Sequence, residues 1–258
     1  MLTFVSIRRL FLMALTVLLV IDWLYGIPGF YYWIPISAFF VLTILGSFLI
    51  QWNFHFKSHN SNPNVVDNYI ALTFDDGPHP EYTSQVLQLL KQFNAKATFF
   101  CIGKHMEQHN DLIKKILDEG HTIGNHTYSH SRAFGFFGSK KVIAELQETN
   151  SIFDQITGKQ IQLYRPAFGV TNPSIKKAIR AMNLQSIGWS VRSLDTTPLS
   201  EDAILNRVTR KLVKGDIVLF HDTSAKTLAV LERLLLILRE KNLRSVTVDQ
   251  LLNIKAYA

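Results

Sequence analysis

The sequence predicts an α/β domain, a mostly parallel sheet with helices outside it, carried behind an N-terminal hairpin of two apolar helices. Three observations carry this expectation. From residue 69 onward, short β-rich runs alternate with helical patterns, as strand–helix–strand units do. Ahead of them the chain is apolar, and between Leu10 and Phe56 the only formally charged side chain is Asp22. The polar, chemistry-bearing residues follow strand candidates rather than scattering, and parallel sheets gather their sites at the C-terminal ends of strands.

The composition excludes several classes. Of 258 residues 47% are hydrophobic and only 18% charged, which excludes a disordered chain. Cys101 is the single cysteine, which excludes a disulfide scaffold. The net charge of +7 comes without a dense basic run, so a nucleic-acid partner is not expected. A basic balance suits an anionic membrane or glycan surface.

Residues 1–54 read as a membrane anchor. The run 31–52 has 22 residues without a charge, enough for a helix to cross a hydrocarbon core of roughly 30 Å. Pro35 lies near its start, where a helix tolerates proline. A shorter apolar run, 10–25, follows Arg8-Arg9, and Gly26-Ile27-Pro28-Gly29 reads as the turn between the two. Trp23, Tyr25, Tyr31, Tyr32, Trp33 and Trp52 fall where an aromatic belt is expected. A signal peptide followed by one anchor is the alternative, but no small-x-small cleavage site follows the first run. Two spans return the chain to the side of its N-terminus, and Arg8 and Arg9 favour the cytoplasm for that side.

Residues 55–68, with a Ser-Asn-Pro-Asn core, read as a polar linker, and 69–252 as the domain that follows it. Its strand candidates are 69–74, 97–102, 121–124, 162–164, 184–189, 216–220 and 245–248. Helical patterns occupy 83–93, 107–119, 140–156, 173–182, 201–213 and 226–241. Seven strands suit a barrel or an open doubly wound sheet, and periodicity leaves both open.

The strand ends carry the chemistry. Asp75 and Asp76 end the first strand, where side-chain alternation points adjacent carboxylates apart, so one can serve a cation and the other a proton. His126 and His130 are four apart, the spacing that puts two imidazoles on one side of a helical turn. Two histidines and one carboxylate form a typical catalytic divalent-metal site. Arg165 can hold a carboxylate in its charged form, and His221 can protonate a leaving group. Cys101 sits inside an apolar strand and reads as a core residue. Each motif alone has an ordinary structural explanation; their coincidence on strand ends does not.

The order of these motifs resembles the polysaccharide deacetylase family, the NodB-homology domain of carbohydrate esterases. Its motifs match here at Thr73-Phe74-Asp75-Asp76-Gly77-Pro78, His126 with His130, Arg165-Pro166-Ala167-Phe168-Gly169, the stretch from Trp189 to Asp195, and Leu219 with His221. The resemblance implies a distorted (β/α) barrel. It implies that Asp76, His126 and His130 bind one divalent ion, zinc being expected, and that Asp75 is the general base, oriented by Arg165. The backbone N–H of Phe168 would hold the oxyanion, His221 would be the general acid tuned by Asp195, and Leu219 would line the acyl pocket. Arg192 and Thr196 depart from the family's usual Asp and Trp, and Phe168 replaces the commoner Tyr, which bears on glycan specificity. The implied activity is removal of an N-acyl group, usually acetyl, from an amino sugar of a polysaccharide, a peptidoglycan-type glycan or a lipid-linked glycan. A catalytically silent, membrane-tethered glycan-binding domain is the competing expectation; it would be expected to have lost at least one of these residues.

Overall fold

The computed structural model describes residues 3–258. Two apolar helices come first, α1 (Phe4–Tyr25) and α2 (Trp33–Phe48). A capping box between Thr3 and Ser6 starts α1, and Gly26 ends it in the left-handed conformation at φ 64°. A 3₁₀ turn over Gly29–Tyr32 leads into α2, and Tyr32 donates its hydroxyl to Asp22 Oδ2 at 3.0 Å. That bond gives Asp22, the one charge between Leu10 and Phe56, a local partner. Phe11 stacks on Phe39 at 4.6 Å between the helices. The stretches Phe4–Tyr25 and Gly29–Phe48 are each long and apolar enough to cross a membrane.

The second helix stops four residues before the apolar run does. Leu49 leaves helical geometry at φ −99°, ψ 81°, and Ile50–Trp52 form a 3₁₀ turn. The cause is tertiary: Ile50 is buried against the domain with Ile187 and Trp189, and Gln51 donates its side-chain amide to Trp189 O at 3.0 Å.

The domain alternates as the sequence predicts. Its order is β1 (Tyr69–Asp75), α3 (Tyr82–Gln92), β2 (Ala97–Cys101), α4 (Gly103–Gln108), α5 (Asn110–Asp118), β3 (Thr122–Asn125), α6 (Ser139–Thr157) and β4 (Leu163–Tyr164). It continues with α7 (Pro173–Ala181), β5 (Gln185–Ser186), β6 (Val191–Arg192), α8 (Glu201–Thr209), β7 (Ile217–His221), α9 (Ala225–Glu240), β8 (Arg244–Ser245) and α10 (Val248–Leu252). Seven strands lie in the order β5-β4-β3-β2-β1-β7-β6, every pairing parallel, and β8 adds to the start of β1. The result is a curled, incomplete (β/α) barrel.

Parity along the strands builds two faces. On β1 Ile70, Leu72 and Phe74 point outward to the helices, into the core with Leu87, Phe99 and Leu234. Ala71, Thr73 and Asp75 take the other parity, and Ala71 packs in the inner cluster with Phe100, Leu219 and Trp189. Cys101 belongs to the outer core, where burial pushes its thiol well up, so it is a packing residue.

The strand expected over 184–189 is only the short β5, and a second short strand, β6, follows it. After β5 the chain crosses the mouth of the incomplete barrel and pairs again as β6 on the far edge of the sheet. The crossing residues spend their backbone groups on several partners: Ile187 N–H donates to Tyr164 O at 2.8 Å, and Ser190 N–H to Ile217 O at 3.0 Å.

The polar segment 55–68 is packed rather than free. His59 bridges Ile187 in parallel and Ser61 bridges Asp216 antiparallel, so this segment lies along the seam that the sheet leaves open. Gly188 N–H donates to His59 O at 2.9 Å and Asn62 N–H to Gly215 O at 2.8 Å. Gly215 has φ 87°, and a Cβ there would collide with the Asn62 backbone, so the approach requires glycine. Polarity marks this segment as a linker in sequence; its backbone bonding makes it a stave of the barrel.

Candidate active site

The inward parity of β1 and β7 puts Asp75 and His221 side by side, since the two are register partners at the ends of neighbouring strands. Asp75 is buried. Its Oδ1 accepts from Arg165 Nη1 at 2.8 Å. Arg165 is itself fully buried. It also donates to Thr73 Oγ1 at 2.7 Å, Ile187 O at 3.3 Å and Gly188 O at 2.8 Å, and its guanidinium lies 4.1 Å from the Phe100 ring centre. Burial pushes the guanidinium down from its ordinary range, and the Asp75 charge works against that. The crossing segment 187–190 thus supplies the carbonyls that hold Arg165, a role that regular strand geometry would not allow.

Alternation alone would point Asp75 and Asp76 apart. They converge instead, because Asp76 lies just past the strand in the left-handed region at φ 72° and turns back toward the cleft. His126 Nε2 lies 3.4 Å from Asp76 Oδ1 and 3.9 Å from Asp75 Oδ2, and His130 Nε2 lies 3.3 Å from Asp76 Oδ1. The two histidines are not on a helical turn. Residues 126–130 form a loop with Thr127 at φ 70° and His130 at φ 46°, held by Thr127 N–H to Asn125 Oδ1 at 2.9 Å and His130 N–H to Thr127 Oγ1 at 3.2 Å. The spacing brought the imidazoles together, with ring centres 4.9 Å apart, by two left-handed residues rather than by helix.

The donors of Asp76, His126 and His130 lie within 4.8 Å of one another. Asp76 Oδ1 is buried and, among the described residues, has no hydrogen-bond donor. An orphaned carboxylate oxygen between two imidazole nitrogens is costly without a cation. His126 bonds through Nδ1 to the Arg165 carbonyl at 2.9 Å, the outer partner that frees Nε2 as a ligand. These residues therefore fit a divalent metal ion. Burial would raise the Asp76 carboxyl, but His126, His130 and His221 hold it well below the usual carboxylate range. Burial and the neighbouring His126 push His130 down to about 4, which keeps its nitrogen unprotonated at neutral pH.

His221 stands opposite, its Nε2 3.9 Å from Asp76 Oδ2. Its Nδ1 is bonded to Asp195 Oδ1 at 2.8 Å, and its backbone N–H donates to Asp195 Oδ2 at 2.8 Å. Ser193 and Thr227 hydroxyls complete the shell of that carboxylate, each at 2.8 Å. Burial would lower the His221 imidazole, but the Asp195 bond and charge outweigh it and lift it to about 9. Burial would likewise raise Asp195, and His221 draws it down instead.

Phe168 has a left-handed backbone at φ 57°, a strained state for a bulky residue, and its ring centre lies 4.4 Å from that of His130. Gly169 follows at φ 70°, where a Cβ would sit 2.6 Å from the Trp189 ring. Leu219 lies two residues before His221 on the inner face of β7 and packs in the cluster with Trp189. All nine residues singled out in the sequence lie around this one cleft.

Sequence reasoning missed several supports. Thr73 takes a bond from Arg165 and gives one to Val218 O at 2.7 Å. Asp222 is buried beneath Gly77, accepts from the Thr83 hydroxyl, and is pushed up to about 7 by burial. His105 bonds to the Asp76 carbonyl at 2.9 Å. The motifs contained Thr73, and Asp222 adjoins His221 at the end of its strand, but nothing local in the sequence marks His105.

Comparison with known proteins bears on the family and the fold. The profile of the polysaccharide deacetylase family matches residues 62–187. A peptidoglycan-N-acetylglucosamine deacetylase of Bacillus cereus is 37% identical over 194 residues, covering 73% of this chain and 90% of that one. The solved peptidoglycan deacetylase PdaC of Bacillus subtilis superposes with TM-score 0.68 at 30% identity, over 74% of this chain and 92% of that one. A carbohydrate esterase family 4 pseudoenzyme from Bacillus anthracis superposes with TM-score 0.69 at 27% identity, over 75% and 68% of the two chains. A likeness of fold is thus shared by active and inactive proteins, and the residues of the cleft must decide between them. By sequence, by barrel and by the motifs at its strand ends, this chain belongs to the polysaccharide deacetylase family.

Proposed function

We propose that this protein is a membrane-anchored, metal-dependent N-deacetylase that removes an acetyl group from an amino sugar of a glycan. The carrying observation is the buried, donorless Oδ1 of Asp76 between the His126 and His130 nitrogens, flanked by Asp75 on one side and His221 on the other. Two imidazoles and one carboxylate suit zinc, and such an ion, when bound, polarises the acyl carbonyl and makes water acidic enough to attack it.

The protein's own groups carry the rest. Asp75 accepts the proton of the attacking water on Oδ2, because Oδ1 is already committed to Arg165. The Phe168 N–H meets the developing oxyanion, the service for which a strained, preorganised backbone is suited. Leu219 and Trp189 form the apolar wall for the acyl methyl group. His221 is protonated at neutral pH and delivers its proton from Nε2 to the departing amine. The carbon–nitrogen bond breaks, the acyl group leaves as carboxylate, and the free amine stays on the sugar. The relatives named above support an N-acetylated glycan as substrate. The complete set of residues disfavours a silent glycan-binding domain.

Metal analysis joined to an assay tests this reading. Purified wild type is expected to hold about one equivalent of divalent metal and to release acetate from an N-acetylglucosamine oligosaccharide. His126→Ala should lose both. Equal, substoichiometric metal in the two proteins would overturn the metal site.

A further inference from the structure

The catalytic cleft does not end at Phe168. Phe168 also lines a groove of about 330 Å³ together with the last turns of α2, with Ile44 and Phe48. Val170 and the exposed Phe136 and Arg132 complete its lining. One aromatic ring therefore separates a metal ligand from the groove, since Phe168 also lies against His130 at 4.4 Å. The position of α2 is held by the domain: Thr171 N–H donates to Ser47 O at 2.8 Å, and His55 bonds to Ser47 Oγ at 3.0 Å.

The rim is unusually apolar for a glycan cleft. Phe136 is 93% exposed, Phe48 62% and Ile44 54%, next to a half-exposed Phe168. Contiguous exposed apolar surface of this kind marks a contact with lipid or with an apolar ligand. The stretch Gly29–Phe48 is 20 residues long, which suits a hydrocarbon core of roughly 30 Å, and as a span it would bring its last turns, with Ile44 and Phe48, to the bilayer boundary. The groove, lined by those turns, would then open at that level. Arg132 lines the groove, is exposed and, among the described residues, forms no ion pair. A guanidinium beside an apolar slot suits a phosphate whose hydrocarbon tail enters the slot. A second protein helix would cover the apolar wall but would leave unexplained both the cation and the path to the metal ligands.

We propose that this groove receives the lipid end of a lipid-phosphate-linked N-acylated amino sugar. The first tail units lie between α2 and Phe168, Arg132 meets the phosphate, and the sugar reaches over Phe168 to Asp76, His126 and His130. The inference rests on the deacetylase reading and narrows its substrate. Only the amide bond is hydrolysed; the sugar–phosphate linkage is left intact.

The test uses the full chain, metal-loaded and reconstituted in phosphatidylethanolamine–phosphatidylglycerol vesicles. Two substrates are compared by kcat/KM: polyprenyl-phosphate-linked N-acetylglucosamine in the vesicles, and soluble tri-N-acetylchitotriose. The lipid-linked substrate is expected to be favoured at least tenfold. Phe136→Ser, Ile44→Ser and Arg132→Ala should each lower that ratio severalfold or more. A photoreactive polyprenyl phosphate should label peptides 43–48 and 132–136 ahead of the rest of the hairpin, a readout independent of turnover. Cleavage of the soluble substrate with no preference for the lipid-linked one would overturn this inference and leave the deacetylase reading standing. Cleavage of neither would overturn both. A ratio unmoved by the substitutions, or labelling spread evenly along α1 and α2, would mean that the groove meets only bulk lipid.

Discussion

Asp75 and Asp76 show how far two identical side chains can diverge. One is the last residue of a strand and is clamped by a buried arginine; the other turns through a left-handed backbone and faces two imidazoles. Asp75→Asn should therefore leave metal content near one equivalent and reduce turnover by about 10²–10⁴-fold, because an amide cannot accept the proton. Paired metal analysis and acetate release check this, and near wild-type turnover would remove Asp75 from the base role. His221 makes a second prediction. With its imidazole lifted to about 9, kcat/KM should hold through neutrality and fall as pH rises through about 9, when the acid loses its proton. Asp195→Asn removes the cause of the lift, so that limb should move down toward the ordinary histidine value near 6.5. The same raised value makes the pair stabilising below about 6.5, with the contribution lost as pH rises through about 9. Asp195 also accepts from Ser193 and Thr227. A pH profile that overlays wild type beside a lowered melting temperature would reduce it to a turn support.

The elements that flank the barrel carry the next prediction. Ile50 is buried with Trp189 and Ile187, and Ser58 Oγ bonds to Ser186 Oγ at 2.8 Å. The polar composition of 55–68 predicts that removing residues 1–57 leaves a folded domain. The packing places the better boundary before Ile50. A chain beginning at Ile50 should be more stable than one beginning at Ser58, by about 2–5 kcal/mol, the usual cost of losing a large buried aliphatic side chain. Denaturant unfolding of the two chains measures it, and equal midpoints would show that the turn only rests on the surface. The alternation of strands and helices was legible because period-2 and period-3.6 patterns are local. The split into β5 and β6 was not, because residues 187–190 look β-rich while their partners come from β4, the segment ahead of β1, and β7.

At the scale of the whole molecule, the hairpin and the domain share a side. Phe4 N–H donates to Phe54 O at 2.9 Å, so the start of α1 and the entry to the domain meet. Lys57, Lys176 and Arg180 line the hollow at that junction, close in sequence or space to the end of the hairpin that bears Arg8 and Arg9. The positive-inside rule then predicts the cytoplasm for the domain. A C-terminal green fluorescent protein fusion should fluoresce and an alkaline phosphatase fusion should be inactive; the reverse would exclude a two-span hairpin of this orientation. A domain on the cytoplasmic face would meet sugars on lipid carriers before any assembled wall, which accords with the groove beside α2.

The sequence by itself determined the alternation, the apolar hairpin and the candidate side chains of the site. Those follow from local patterns and from which functional groups can bind a metal or move a proton. Only the tertiary structure decided how they meet. Left-handed backbones at Asp76, Thr127, His130 and Phe168 aim side chains against their local defaults, and such conformations are sustained by surroundings rather than by the residue itself. Arg165 finds its carbonyl partners only because the chain crosses the barrel mouth at 187–190. The end of α2, read as membrane in sequence, is cut short because burying Ile50 beneath the barrel outweighs continuing the helix, and an apolar residue is equally at home in lipid and in a protein core.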